Sequence, residues 1–358
     1  MSKHLRIWLF AILGTLLAST TLLAEGVITM TTSRTVGEKI YLGIQANGNG
    51  TIEGAQETGK TDDYGRKSYR LTSQTITIRG DVTTLYCFDN ELTSLNVSQN
   101  TALRTLFCAD NQLTSLDVSD CNALTELVCF NNQLTSLNVS KNTALTELDC
   151  SSNQLTNLNV SKNTALIELH CGLNKLPSLN VSKNTALTEL DCSYNLLPSL
   201  NVSKNTALTE LYCEHNKLTS LNVSKNTALT ELYCSENQLI SLNVSNNSTL
   251  TELDCSYNQL TSLNVSKNTA LTELYCEDNK LTNLNVSGRA RLTKIRCYSN
   301  RINGKAMTKL MNSLPNRRGK SSGTIVIVDR SSKKRDENRC SATDVTTARR
   351  KNWEVLER

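Results

Sequence analysis

Histidine is scarce in this chain. There are three in 358 residues, and with His4 in the N-terminal leader only His170 and His215 stand beyond it. No glycine-rich nucleotide loop and no paired nucleophile motif accompanies them, so the sequence argues for no enzyme and no cofactor. Closely paired cysteines, the spacing that structural zinc uses, are absent. No second long apolar run follows the leader, so the processed chain is expected not to span a membrane. Aromatic residues make up only 4% of the chain, which gives weight to where they fall.

The leader, residues 1–24, reads as a secretory signal peptide. Lys3 and Arg6 make a positive start, Ile7 to Leu23 is mostly apolar, and Ala24 before Glu25 is a cleavage point. The chain is therefore expected to be secreted or at the cell surface. An uncleaved anchor helix is the alternative, because the apolar run is borderline in length for a bilayer.

What the sequence has in abundance is a beat. Cys87, Cys108, Cys129, Cys150, Cys171, Cys192, Cys213, Cys234, Cys255, Cys276 and Cys297 follow one another at steps of 21 residues. The stretch from Leu145 to Ala165, LTELDCSSNQLTNLNVSKNTA, shows one period. Its apolar residues are Leu145, Leu148, Cys150, Leu155, Leu158 and Val160, at positions 1, 4, 6, 11, 14 and 16. Position 9 is Asn in every copy, from Asn90 through Asn153 to Asn300. A period in the 20–29 range with L-x-x-L-x-[apolar]-x-x-N-x-L is the signature of a leucine-rich-repeat solenoid.

Positions 3 to 7 alternate and predict a short strand, so stacked copies form a parallel β-sheet on the concave face. The return segment L-N-V-S-K-N-T-A is too short and too rich in Asn, Ser, Thr and Val for a stable helix. It predicts turns or a second short strand, leaving little or no helix on the convex face. Ladder cysteines one repeat apart point the same way, which does not suit disulfides, and they read as small buried hydrophobes. Cys121 and Cys340 fall outside the ladder, as free thiols or as a pair. The position-9 amides are expected to satisfy backbone groups of their own and adjacent turns.

Four segments result. After the leader, 25–81 is a β-rich N-terminal cap, 82–312 holds eleven repeats, and 313–358 is a basic C-terminal cap. In the first cap, Ile40, Leu42 and Ile44 alternate, as do Ile76 and Ile78, with a turn at Asn47–Gly50 between them. A separate ligand-binding module is the alternative to a cap. Toward the end, 304–314 has helical spacing, 324–328 reads as a strand, and a helix is expected from Asp344 to Trp353. Residues 301–358 carry 15 Lys/Arg against 6 Asp/Glu. That excess reads as a solvated cap, or as a surface for anionic glycans or membranes. No aromatics interleave with it, so nucleic acid is not an expected partner.

The consensus L-x-x-L-x-C-x-x-N-x-L-x-x-L-x-V-S-x-N-T-A, with Cys where Leu is usual, resembles the cysteine-ladder repeats of internalin-J-like surface proteins. It is closest to those of Bacteroidota such as Porphyromonas. The resemblance covers 82–312 strongly and the caps loosely. It implies an exported, adhesin-like protein that binds a protein or glycan on host or neighbouring cells. Leu314-Pro315-Asn316-Arg317 is the nearest string to a sortase signal, and no cysteine follows the leader to take a lipid, so attachment is only implied. The alternative function is a structural or self-associating envelope or biofilm component. The nine N-V-S tripeptides are then turn residues rather than glycan acceptors.

The variable positions carry the candidate site. Position 3 is Glu in eight successive repeats, among them Glu210, Glu231, Glu252 and Glu273, and position 18 is Lys in six. These rows serve solubility, or they steer a basic partner to the acidic face. Tyr86, Phe88, Phe107, Phe130, Tyr194, Tyr212, Tyr233, Tyr257, Tyr275 and Tyr298 all fall at positions 5, 7 or 8, expected to face solvent. Aromatics gathered on one face mark recognition surfaces. The alternative is cross-strand stacking that only stabilises the sheet. Asp149, His170 and Asp191 occupy position 5 in successive repeats, beside Glu147, Glu168 and Glu189. Carboxylates with an imidazole suit a divalent ion, or the His merely relieves carboxylate repulsion.

Overall fold

The computed structural model describes residues 26–330 and 336–357. The expected signal peptide lies outside the described residues, as do Lys333, Lys334 and Arg335 of the basic C-terminus. The chain divides into two units, Met1–Asn163 and Thr164–Arg358. Both are built of the 21-residue turns of a leucine-rich-repeat solenoid.

The first unit opens with five strands, Val27–Thr32, Lys39–Glu53, Ala55–Thr61, Lys67–Leu71 and Thr75–Tyr86, paired antiparallel. Alternating Ile28, Met30, Ile40, Leu42, Ile76 and Ile78 bury one side of them. Asn47–Gly50 is not the expected turn. The strand Lys39–Glu53 runs through it with a bulge, Asn47 pairing Asp81 and Thr51 pairing Arg79. Gly80, at φ +123°, comes so close that a Cβ there would sit 3.1 Å from Gly50 Cα. The far end of Thr75–Tyr86 then changes partner and pairs parallel with Thr105–Phe107, so one strand belongs to both cap and repeats.

Each repeat contributes a three-residue strand at positions 3 to 5, in register with the next, as in Glu126↔Glu147. The consensus apolar positions are buried without exception. Leu145, Leu148, Cys150, Leu155 and Val160 are all at 0% exposure and Leu158 at 5%. Return segments are turns. Leu92–Asn96, which pairs with Val27–Thr32, is the exception in the first unit among the described residues.

The corners of the turns rest on side-chain amides. Asn153 Nδ2 donates to the carbonyls of Cys150 and Ser151 in its own turn and of Cys129 in the turn before. Its Oδ1 accepts from Leu134 N at 2.9 Å. Just before it, Ser152 stands at φ +51°, and every position-8 residue from Asp89 to Ser299 shares this left-handed corner. A second ladder lies on the return side. Asn142 Nδ2 donates to Val118 O and Cys121 O, and Asn163 to Val139 O and Asn142 O. Cys121 takes the place of such an Asn, its thiol directed at Val97 O and Asn100 O at 3.6 and 3.7 Å.

In the second unit the strands run from Glu168–His170 to Lys294–Arg296, with Glu168↔Glu189 and each following Glu in register. Arg289 replaces the return-side Asn there, donating through Nη1 to Val265 O. The repeat ends by imitation. Asn338 donates to Cys297 O and Ile327 O and accepts from Ile302 N, the bonds of one more position-9 Asn. A helix, Lys305–Ser313, takes over the return side, and Gly323–Val328 and Trp353–Glu357 extend the sheet in parallel. The helix expected through Trp353 stops at Arg350. Asn352 turns left-handed at φ +63°, and Trp353 opens a strand with its indole bonded to Pro315 O. Arg317 bonds Leu292 O, and Lys351 bonds Asn312 O and Leu314 O at the end of the first helix. Two of the basic residues thus satisfy carbonyls rather than face a partner.

All thirteen cysteines are free thiols, and only Cys340 is not buried. Burial raises Cys87 to about 12 and holds the ladder thiols protonated. Burial also raises Cys340 to about 11. Native protein at pH 8 is therefore expected to react slowly with a thiol reagent, at the partly exposed Cys340 alone, and at all thirteen once unfolded. Early reaction at ladder positions, read by mass spectrometry, would count against a closed core. Asn216→Ala would orphan Leu197 N and take one bond each from Cys192 O, Cys213 O and Glu214 O, which keep Asn195, Asn237 and Tyr194 N as donors. It should cost on the order of 3 kcal/mol in urea unfolding.

Candidate functional site

Short strands leave few side chains free to face outward, and the expected aromatic face splits into parts. In the first unit, Phe88 is occupied by the cap. The Arg66 guanidinium lies 3.5 Å over its ring and Tyr64 meets it edge-on at 5.4 Å. Arg66 is itself buried, paired with Asp62 at 2.8 Å, and it bonds Phe88 O. Tyr86 packs on Phe107 at 4.9 Å, with Gly43 leaving room beneath its ring. Phe130 is half-buried.

In the second unit the position-5 tyrosines line the strand face beside the glutamates. Tyr212 and Tyr233 stack at 5.1 Å. Tyr212 Oη donates to Glu210 at 2.6 Å and to Glu231 at 3.1 Å. Tyr275 donates to Glu273, which also pairs with Lys294 at 3.4 Å. Burial first, then the carboxylates that accept from them, push the hydroxyls of Tyr212, Tyr233 and Tyr275 far up. These hydroxyls act as donors, and they hold the like-charged Glu row in place.

Positions 7 and 8 do not share that face. The strand ends at position 5 and the chain then turns inward, so position 7 is partly or fully buried. Tyr298 is 2% exposed, with its hydroxyl 3.4 Å from Glu277, and is no surface aromatic. Position 8 projects from the left-handed corner instead. Tyr194 and Tyr257 are 47% and 44% exposed there, and Tyr194 stacks on His215 at 3.9 Å. Leu173 and Leu196, at 53% and 44% exposure, add to this ridge. Reasoning from aromatics alone missed both. The available signal was an apolar residue at position 8 or 10, where most repeats carry a polar one.

Asp191 does not turn toward His170, because its carboxylate accepts from Ser193 N and Oγ at 2.9 and 2.6 Å. Asp149 makes the same two bonds to Ser151 in the first unit. The structure instead brings His170 to Glu168 at 3.9 Å and to Glu189 at 3.8 Å. His170 beside it lowers the Glu168 carboxyl, while burial raises that of Glu189.

Among solved structures, the functional domain of InlJ from Listeria monocytogenes, which includes a cysteine ladder, is 32% identical to this chain. The match spans 78% of this chain and 69% of that one, with a TM-score of 0.65. A leucine-rich-repeat protein of Leptospira interrogans is 23% identical, over 73% of this chain and 74% of its own, at a TM-score of 0.60. Internalin InlF of Listeria monocytogenes is 19% identical, over 76% and 86%, at 0.60. Those two show likeness of fold. A family model of two leucine-rich-repeat copies matches residues 101–142. No curated protein matches the chain.

Two acids on the inward turn of position 7 titrate unusually. Burial raises Glu214 to about 8 and Glu277 to about 7. Values raised in the folded state mean that the protonated acid fits the fold. The stability this gives is whole below the ordinary carboxylate range and is lost as pH rises through 7 to 8. The melting temperature should fall between pH 6 and pH 9, and a Glu214→Gln, Glu277→Gln variant should show a flatter profile. Parallel profiles for variant and parent would refute this origin.

Proposed function

The chain belongs to the leucine-rich-repeat family that includes the cysteine-ladder domain of InlJ, and on that footing we propose an exported, adhesin-like binding protein. Its ligand surface is the strand face of the second unit, with Tyr212, Tyr233, Tyr275 and the glutamates Glu210, Glu231, Glu252 and Glu273. The ridge of Tyr194 and Tyr257 borders it. The partner is a protein or a glycan on another cell. Export rests on the signal-like leader and on the likeness of the repeats to those of InlJ.

The observation that carries the reading is the ordered aromatic and acidic array. Tyr212, pinned by hydrogen bonds to Glu210 and Glu231 and stacked on Tyr233, offers rigid contact area at little further entropic cost. The glutamates add a negative field that favours a partner with basic groups. Among the described residues no helix is long and apolar enough to cross a membrane.

The test is a binding screen of the processed protein against extracellular proteins and glycans, followed by variants. Joint replacement of Tyr212, Tyr233 and Tyr275 by Ser should weaken a captured partner about tenfold or more, the scale of hot-spot aromatics. Phe at the same sites should lose less, and circular dichroism should report intact strands in both. Undiminished binding by a folded Ser variant would end the proposal.

A further inference from the structure

We propose that Glu168, His170 and Glu189 form a binding site for a divalent transition metal of the zinc class. This goes beyond the adhesive reading and does not depend on it. Glu168 and His170 are two residues apart on one strand, so both side chains leave the same face. Glu189 is the register partner of Glu168 on the adjoining strand. The sheet therefore delivers three ligands to one point without a loop.

The geometry fits an ion. One ligand atom from each residue lies within 4.8 Å of the other two. His170 Nε2 stands 3.9 Å from Glu168 Oε2 and 3.8 Å from Glu189 Oε1. Bonds of about 2.0–2.2 Å to zinc in a tetrahedron set ligand atoms roughly 3.3 Å apart, so small side-chain rotations close the site. One neutral imidazole and two carboxylates balance a dication and leave a position for water. The side chains of His170, Glu168 and Glu189 are 14%, 45% and 29% exposed, so an ion has both an entry path and a partly dry seat.

The rest of the Glu row is filled differently. Glu210, Glu231 and Glu273 accept from tyrosine hydroxyls, and Glu273 also meets Lys294. Among the described residues, this is the step at which a nitrogen ligand stands between two carboxylates. The second imidazole, His215, is paired with Glu236 at 2.8 Å and stacked on Tyr194, and among the described residues it belongs to no group of three possible ligands. It supplies an internal control.

The experiment uses the full chain with Cys340→Ser, which removes the partly exposed thiol, after stripping with EDTA. Zn2+ is titrated by calorimetry and by competition with a chromophoric zinc indicator, with Ca2+ as the contrast ion. One Zn2+ per chain is expected, with Ca2+ far weaker. His170→Ala, or Glu168→Gln with Glu189→Gln, should lower zinc affinity at least about tenfold. The His4→Ala, His215→Ala variant should bind as its parent does, and X-ray absorption should report one nitrogen and two or more oxygen ligands. Absence of stoichiometric binding, or binding that survives His170→Ala in a folded protein, would overturn the site and leave His170 as a counter-charge alone.

Discussion

A stack of 21-residue turns holds together only if the backbone groups at each corner find partners, and here the side-chain amide at position 9 is that partner. Its Nδ2 reaches three carbonyls and its Oδ1 one amide, in two successive turns, as Asn216 does with Cys192, Cys213, Glu214 and Leu197. The left-handed residue before it is tolerated because the amide over-determines the corner. Everything outside that corner is then free to vary. The strand shrinks to three residues, and the return side needs only a second amide, a thiol or a guanidinium to close it.

That economy shapes the surface. With strands this short, only positions 3 and 5 truly face outward, and like-charged glutamates stack along position 3. The chain answers the repulsion in several local ways. Tyrosine hydroxyls donate to the carboxylates, Lys294 pairs with Glu273, and His170 stands between Glu168 and Glu189. On the inward turn it is burial that drives Glu214 and Glu277 toward the neutral acid. The strand face is thus a set of solutions to one electrostatic constraint.

The caps extend the same logic. Asn90 exchanges both amide bonds with Tyr41 of the N-terminal strands, and Asn338 repeats the position-9 pattern beyond the last full turn. Arg66, Arg317 and Lys351 carry charge into these ends, yet each gives donors to backbone carbonyls, and Arg66 also pairs with Asp62. A basic composition in the C-terminal region therefore says little about partners until each donor is located.

The sequence by itself determined the period, the buried positions, the parallel sheet and the amide corner, because a repeated pattern states the same physical demand eleven times. It also held the second amide ladder, visible as Asn142, Asn163 and their counterparts, though a polar return segment reads as a plain turn. Only the tertiary structure decided which outward residues are available. Tyr298 is buried, Phe88 lies under Arg66, and Tyr194 and Leu173 project from a ridge, since these outcomes depend on where each strand ends and what the caps bring. The partners of His170 were settled in the same way. Asp191 and His170 share a register, but Ser193, two residues on, claims the Asp191 carboxylate and leaves the imidazole to the glutamates. Spacing sets which residues are neighbours, and competition for short hydrogen bonds sets which of them interact.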